Sequence, residues 1–290
     1  MSDTQYLAAK TIDEAVDAHA KANGSARFLA GGTDLLVQIK SGIRKPNLVI
    51  DIKKIVELNS INEISDGEFE IGASVSGANL NRNFKFAKLW PGVLEAFRLI
   101  GSEQIQGRAS LGGNLCNGSP AGDSVPALIA AGCKAVIAGP KGRKDVPIEN
   151  FHLGPGKTVL ENGEMLVSLK FPKRVSNSAD AYLRMTPRTE MDIAVVGCGV
   201  NISLENDTCT HARVSLGAVA PTPLLIEEAS KIMVGSKLDD DTLDKVSKMC
   251  MDSCNPINDK RGTIDYRTKV AGVLFKRATK LATDRIGGNK

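Results

Sequence analysis

The chain has 290 residues, a formal net charge of +4, and a composition that is 42% hydrophobic, 24% charged and 4% aromatic. This is typical of a globular protein with two or three domains, and the small charge with few aromatic residues gives no support to nucleic-acid binding. No basic segment followed by an apolar one opens the sequence, and no apolar run could span a membrane, so we expect a cytoplasmic protein without membrane insertion.

Residues 1–55 are predicted to form a first unit. Their apolar spacing indicates a strand, a helix, a second strand, a glycine loop, a second helix and the strand LVIDI. The first helix is TIDEAVDAHAKA, in which Thr11 is the predicted N-cap and Glu14 stands three residues further on. We therefore expect three strands and two helices in this unit.

The glycine loop of the first unit is Gly31-Gly32-Thr33, between an apolar strand end at 28–30 and a helix-like pattern that begins at Leu35. Glycine adopts positive φ at little cost, so the loop could be a tight strand-to-helix turn. Residues without Cβ also let a phosphate approach backbone N–H groups at a helix start. The loop alone leaves both interpretations open.

Residues 56–175 are predicted to form a second unit of short strands, such as FEIGA and KAVIAG, with helices between them. This unit contains a second predicted glycine loop, at 112–114. Two backbone cradles brought together by the fold would suit the two negative charges of a pyrophosphate. Asp123 precedes an apolar helix with Pro126 in its first turn. Its carboxylate could accept hydrogen bonds from ribose or ribityl hydroxyls, or it could cap that helix.

A polar segment, KRVSNSAD at 173–180, is predicted to lead into a third unit at 176–290. Three antiparallel strands are expected there, AYLRM, DIAVVGCGVNISL and CTHARVSLGAV. Three helices follow, PLLIEEASKIMV, DDDTLDKVSKMCMDSC and IDYRTKVAGVLFKRATKLATDR. Strands first and helices afterwards indicate an α+β domain.

Two nucleotide motifs are nearly matched and are rejected. FHLGPGKTVL ends like a phosphate-binding P-loop, but Phe151 stands where that loop needs its first glycine and no helix follows. VVGCGVNI places Gly197 and Gly199 after a strand, but Ile202 stands at the third glycine position and the strand pattern continues. The six cysteines and three histidines have no metal-ligand spacing, so we expect no metal centre on this chain.

The remaining motifs together resemble the FAD-binding medium subunits of molybdenum hydroxylases, which include carbon monoxide dehydrogenase, xanthine dehydrogenase and N-heterocycle hydroxylases. AGGTDLL at 30–36 is similar to the first FAD loop of that family, and SLGGN at 110–114 to the second, commonly S/T-x-GGN. The SPxxD that ends at Asp123, GEMLVSLKFP at 163–172 and DYRTKVAGVLFKRA at 265–278 also match. The resemblance therefore covers nearly the whole chain.

The resemblance implies an α+β chain with the FAD-binding fold of p-cresol methylhydroxylase and vanillyl-alcohol oxidase. That fold would occupy two subdomains, 1–55 and 56–175. The rest, 176–290, would be a C-terminal α+β domain with an antiparallel sheet and three helices. FAD would be held without a covalent bond.

The resemblance also implies a set of FAD contacts, in which the two glycine segments embrace the pyrophosphate. Ile100 stands where some relatives place Phe against the adenine, and Ile193 where several place Tyr beside the isoalloxazine. Arg184 lies near a basic position of the family. No acid–base residue is expected. The complete implied set is Leu29, Ala30, Gly31, Gly32, Thr33, Asp34, Leu35, Ile100, Ser110, Gly112, Gly113, Asn114, Asp123, Leu166, Arg184 and Ile193.

In such a family the chain does part of a reaction. A molybdopterin large subunit would hydroxylate the substrate, and a small subunit with two [2Fe-2S] clusters would pass the electrons to FAD and on to an external acceptor. The resemblance implies a dimer of heterotrimers. Two alternatives are a self-contained FAD-dependent oxidase of the same superfamily and a nucleotide-binding regulator.

Overall fold

The computed structural model describes residues 4–288, so the outermost residues of the first and third predicted units, 1–3 and 289–290, lie outside the described residues. The first unit is a three-stranded parallel sheet in the order β1-β3-β2, with two helices. Its elements are β1 Gln5–Ala8, α1 Ile12–Lys21, β2 Ala26–Leu29, α2 Leu35–Lys40 and β3 Leu48–Asp51. The predicted cap is confirmed, since Thr11 Oγ1 accepts a hydrogen bond from the Glu14 N–H at 3.1 Å.

The middle unit is built on a five-stranded antiparallel sheet in the order β4-β5-β10-β6-β7, beside a separate two-stranded ribbon, β8-β9. The strands are β4 Ile61–Ser65, β5 Glu68–Gly72, β6 Lys134–Gly139, β7 Gly142–Pro147, β8 His152–Gly154, β9 Lys157–Thr158 and β10 Met165–Phe171. The helices are α3 Gly77–Asn81, α4 Phe84–Leu89, α5 Pro91–Arg98, α6 Glu103–Gln106, α7 Leu111–Cys116 and α8 Ser124–Ala130.

The central strands of the middle sheet, β5, β10 and β6, are buried on both faces. Along β6, Ala135 and Ile137 join the core formed with the helices of the middle unit, whereas Val136 and Ala138 join the core of the first unit. This alternation follows from the two-residue repeat of a strand, whose successive side chains point to opposite faces. The first unit therefore packs against the back of the middle sheet.

The C-terminal unit has a four-stranded antiparallel sheet in the order β11-β12-β13-β14, covered by three helices. Its elements are β11 Ser178–Met185, β12 Val196–Glu205, β13 Thr208–Gly217, β14 Leu224–Leu225, α9 Glu227–Met233, α10 Asp240–Asp252 and α11 Ile264–Gly287. The α+β fold class, with an antiparallel sheet and three helices here, is confirmed. No helix within residues 4–288 is long and apolar enough to cross a membrane.

Three predicted boundaries in this unit are wrong. Residues 178–180 were expected to be linker but begin β11, because their backbone pairs with β12. Residues 224–225 were expected to start a helix but pair with β13 as an edge strand. The strand expected from Asp192 begins only at Val196, because the Asp192 side chain accepts hydrogen bonds from neighbouring backbone N–H groups.

The glycines of the rejected dinucleotide motif let the middle unit pack directly on the C-terminal sheet. A Cβ atom at Gly199 would lie 2.6 Å from the Pro126 carbonyl oxygen in α8, and one at Gly197 would lie 2.5 Å from the Tyr182 hydroxyl. On the next strand, a Cβ atom at Gly217 would lie 2.6 Å from Pro126 Cγ. Gly199 and Gly217 are therefore packing residues between α8 and the sheet, and Gly197 leaves space for the Tyr182 side chain.

A group of charged residues, buried at Arg174 and Asp180 and partly buried at Arg285 and Glu95, also joins the two units. Arg174 lies 3.2 Å from Asp180 and stacks over the Trp90 ring, 4.3 Å from its centroid. Arg285 pairs with Glu95 of α5 and donates to the Asp180 carbonyl at 2.5 Å. Burial raises the pKa of the Asp180 carboxyl to about 6, although both guanidinium groups lower it. These contacts hold the start of β11 against α5 of the middle unit and against α11 of the C-terminal unit.

Replacing Gly199 by Ala should destabilise the protein by about 1–3 kcal/mol, because the added methyl group has no space beside α8. Thermal and urea unfolding of the purified variant measure this loss. Gly154→Ala is the matched control, since a Cβ atom there meets nothing within 4 Å. Equal stability of the two variants would contradict this tight packing.

Candidate functional site

A cavity of about 300 Å³ lies between the first and middle units, where the two predicted glycine segments meet. Most of the predicted site residues line it. They are Ala30, Gly31, Gly32, Thr33, Asp34, Leu35, Ile100, Ser110, Gly112, Gly113, Asn114 and Leu166.

The first glycine segment is an open turn between β2 and α2. Gly32 has a φ of +80°, a conformation that residues with a Cβ rarely adopt. Within residues 4–288, the backbone amides of residues 31–34 donate to no protein acceptor. Backbone N–H groups left open in a turn are suited to binding an anion.

The second glycine segment was predicted to be a loop, and this prediction is wrong. Gly112, Gly113 and Asn114 lie in the first turns of α7, because Ser110 acts as its N-cap and its Oγ accepts a hydrogen bond from the Gly113 N–H at 3.0 Å. Neither glycine of this pair has a positive φ. The segment therefore offers a helix N-terminus to the cavity, with the amide of Gly112 free of a protein acceptor among the described residues.

The first glycine of each pair is required by packing. A Cβ atom at Gly31 would overlap the Arg108 carbonyl oxygen, and one at Gly112 would lie 2.5 Å from the Ala73 carbonyl oxygen. Gly113 is different, because a Cβ atom there would meet only Ser110 Oγ, at 3.2 Å, and would otherwise project into open space. A cradle that a single side chain would fill fits the pyrophosphate of FAD.

One end of the cavity was missed by sequence reasoning. His19 stacks on Phe28 with ring centroids 4.5 Å apart, and its Nδ1 accepts a hydrogen bond from the Gly163 N–H at 3.0 Å. Burial, with a contribution from Arg27, lowers the pKa of His19 and keeps the ring neutral near pH 7. Arg27 and Arg44 also line this end, so it carries positive charge. No local motif marks these residues, which only the fold brings together.

Asp123 was expected either to bind the cofactor or to cap α8, and the cap alternative is wrong. Its side chain makes no capping hydrogen bond. Instead it accepts hydrogen bonds from the Tyr182 hydroxyl at 3.1 Å and from Arg184 Nη1 at 2.9 Å. Burial raises the pKa of the Asp123 carboxyl to about 6, and Arg184 and Tyr182 oppose this increase. Neither Asp123 nor Arg184 lines the first cavity.

A second cavity, of about 440 Å³, lies on the other side of Ile100. Its lining includes Leu99, Gly101 and Arg184, so the two cavities flank the turn at 99–101. The Met191 N–H donates to the Gly101 carbonyl at 3.4 Å and links this turn to the loop that precedes β12.

The remaining two predicted residues, Leu29 and Ile193, line neither of the two cavities. Leu29 is buried, and its Cδ1 lies 3.0 Å from the position that a Cβ of Gly32 would take. Ile193 is half exposed to solvent. Within residues 4–288, no three His, Cys, Asp or Glu side chains gather as a metal site would require.

Comparison with known families matches the chain in two parts. Residues 2–174 match the family model described as the FAD binding domain in molybdopterin dehydrogenase. Residues 181–282 match the CO dehydrogenase flavoprotein C-terminal domain. The boundary between the two matches falls at the start of β11.

Curated relatives and solved structures agree with these matches. The putative xanthine dehydrogenase FAD-binding subunit of Escherichia coli (strain K12) is 31% identical over 98% of this chain and 97% of the relative. The carbon monoxide dehydrogenase medium chain of Hydrogenophaga pseudoflava is 33% identical over 97% of both proteins. A structure of carbon monoxide dehydrogenase from that organism, lacking the Mo-pyranopterin moiety, matches with a TM-score of 0.93 and 33% identity, over 97% of this chain and 98% of that chain.

Replacing Gly113 by Val should abolish FAD retention, because the new side chain would project into the cradle. The variant should still fold, since Gly113 is in a helix and has no positive φ. Gly32→Val should also lose FAD, through backbone strain at its φ of +80°. The ratio of flavin to protein absorbance after desalting measures retention.

Gly154→Val is the control for both variants, because a Cβ atom at Gly154 meets nothing within 4 Å. It should retain flavin as the unmodified protein does. Full flavin content in Gly113→Val would contradict the paired-cradle arrangement.

Proposed function

This chain belongs to the family of FAD-binding medium subunits of molybdenum hydroxylases, and from this membership we propose that it relays electrons from the [2Fe-2S] clusters of a partner subunit, through FAD, to an external acceptor. When bound, FAD supplies the redox chemistry, because its isoalloxazine ring accepts and releases electrons. The chain itself positions that ring and holds the rest of the cofactor.

The observation that carries the proposal is the pairing of two backbone cradles across the first cavity. The free amides of residues 31–34 come from the first unit, and the N-terminus of α7 comes from the middle unit. Open N–H groups from two sides can stabilise the two negative charges of a pyrophosphate by hydrogen bonding, without any charged side chain. We assign the pyrophosphate to this position.

The proposed site residues divide by chemistry. Apolar contacts to FAD are assigned to Leu29, Ala30, Leu35, Ile100 and Leu166. The second cavity and the buried Asp123–Arg184 pair lie toward the C-terminal unit, which we propose covers the flavin ring, with Ile193 at its exposed edge. In this division, 1–55 and 56–175 hold FAD, and 176–290 covers it. No side chain is assigned an acid–base role.

We further propose that the chain works in a heteromeric complex with a [2Fe-2S] small subunit and a molybdopterin large subunit, as a dimer of heterotrimers. The relatives described above support a role within a larger enzyme, because they are named as a subunit or a medium chain and match this chain along nearly their whole length. The organic substrate would then react on a different polypeptide.

The isolated chain should be an electron relay that cannot oxidise a substrate alone. Loaded with FAD, it should show a flavin spectrum and be bleached by dithionite under anaerobic conditions. Xanthine, aldehydes, nicotinate and carbon monoxide should leave the flavin oxidised, because no substrate site is proposed on this chain. Adding the molybdenum and iron–sulfur subunits of the same complex should restore bleaching by that complex's substrate. Direct bleaching of the lone chain by one of these substrates would favour a self-contained oxidase.

Replacing Asp123 by Ala should weaken FAD binding by about 1–3 kcal/mol, as expected when a buried hydrogen-bonding group is lost. This corresponds to a roughly fivefold to 150-fold increase in Kd. Fluorescence titration of the apoprotein with FAD measures it. Asp123→Asn is the companion variant, because it removes the charge but keeps the shape and one acceptor oxygen. Unchanged FAD affinity in both variants would show that Asp123 does not contact the cofactor and serves only in the ion pair with Arg184.

A further inference from the structure

We propose that Tyr182, a residue of the C-terminal sheet, is a positioning residue of the FAD site, because its hydroxyl fixes the Asp123 carboxylate at the start of α8. The inference rests on the proposed function, in which Asp123 contacts the cofactor. Tyr182 itself would touch no part of FAD and would act through Asp123.

Tyr182 is held by the middle unit at two points, although it belongs to β11. Its hydroxyl donates to Asp123 Oδ1 at 3.1 Å, and its backbone N–H donates to Glu95 Oε2 at 3.1 Å. The side chain is only 2% exposed and packs in the core of the middle unit. Arg184, two residues further along the strand, donates to the other carboxylate oxygen, Oδ2, at 2.9 Å. One strand therefore determines how both oxygens of Asp123 are oriented.

The neighbouring strand keeps space for this hydroxyl. A Cβ atom at Gly197 of β12 would lie 2.5 Å from the Tyr182 hydroxyl oxygen. Glycine at this position therefore lets the phenol approach Asp123. Gly197 and Tyr182 therefore depend on each other, because the glycine leaves the space that the tyrosine hydroxyl occupies.

The same contact bears on the charge of Asp123. The titratable groups that face this carboxyl are Tyr182 and Arg184 from β11, and Cys198 of β12, whose side chain packs in the core of the C-terminal unit, raises the pKa of Tyr182. Helix α8 itself, SVPALIA, carries no ionisable side chain. Burial raises the pKa of the Asp123 carboxyl to about 6, and the Tyr182 hydroxyl is one of the groups that lower it. Removing the hydroxyl should therefore raise that pKa further.

The test compares FAD affinity across pH 5–8 in the full chain and in Tyr182→Phe, by fluorescence titration. If the ionised carboxylate binds FAD, the affinity of the unmodified chain falls as the pH is lowered through the Asp123 pKa, about 6. In Tyr182→Phe this fall should begin roughly one pH unit higher, because the lost hydrogen bond stabilised the charged form. At pH 6.5 a shift of this size lowers the ionised fraction of Asp123 about threefold, so we expect a loss of affinity of about threefold.

Two further variants separate positioning from simple packing. Gly197→Ala keeps the phenol but displaces its hydroxyl from the opposite side, so it should shift the pH profile in the same direction. Tyr6→Phe removes another tyrosine–aspartate hydrogen bond, to Asp51 at the far end of the chain, and should leave the profile unchanged. In the Asp123→Asn background the Tyr182→Phe change should have no effect on the pH profile.

The outcomes are distinct. An unshifted pH profile in Tyr182→Phe and Gly197→Ala, with FAD still bound, would overturn the inference. If the unmodified chain bound no FAD at any pH, the proposed function would fail instead. If Tyr182→Phe does not fold, the pH profile of FAD affinity in Gly197→Ala tests the inference on its own.

Discussion

The contact between the backbone at Gly31 and the carbonyl group of Arg108 is the constraint on which the rest of the site depends. A Cβ atom at residue 31 would overlap that carbonyl oxygen, so only glycine lets the first unit approach the middle unit this closely. The approach brings the free amides of residues 31–34 opposite the first turn of α7. The cradle is therefore a product of packing between two units, and neither unit forms it alone.

Much of the fold could be predicted from sequence because its signals are local. The helix cap at Thr11, the strand–helix order of the first unit and the three C-terminal helices follow from side-chain spacing and turn chemistry. The two glycine pairs could also be recognised in the sequence, but the different role of each glycine could not be predicted from it. Whether a glycine provides positive φ, as Gly32 does, or space for another backbone, as Gly112 does, depends on atoms from distant parts of the chain.

The rest of the site depended on tertiary contacts that no local pattern records. Asp123 at the start of a helix has the sequence signature of a cap, but its carboxylate accepts hydrogen bonds from Tyr182 and Arg184 instead of from the helix N-terminus. The strand that carries these two residues was predicted, but the spacing of residues along it does not show that it lies beside the start of α8. His19 lies in a helix whose sequence suggests only an ordinary amphipathic face, and it reaches the cavity because α1 packs beside the turn at Gly163.

A ligand that spans the seam between two units also changes how firmly those units hold together. A cofactor bound only when the cradle is assembled adds a free energy of RT ln(1 + [L]/Kd) to the assembled form. Because the amides of residues 31–34 belong to one unit and α7 to the other, that energy acts on their mutual docking. Bound flavin therefore strengthens the docking of the first and middle units beyond what their shared apolar core supplies. Loss of the cofactor should lower the stability of this seam before that of either unit's own core.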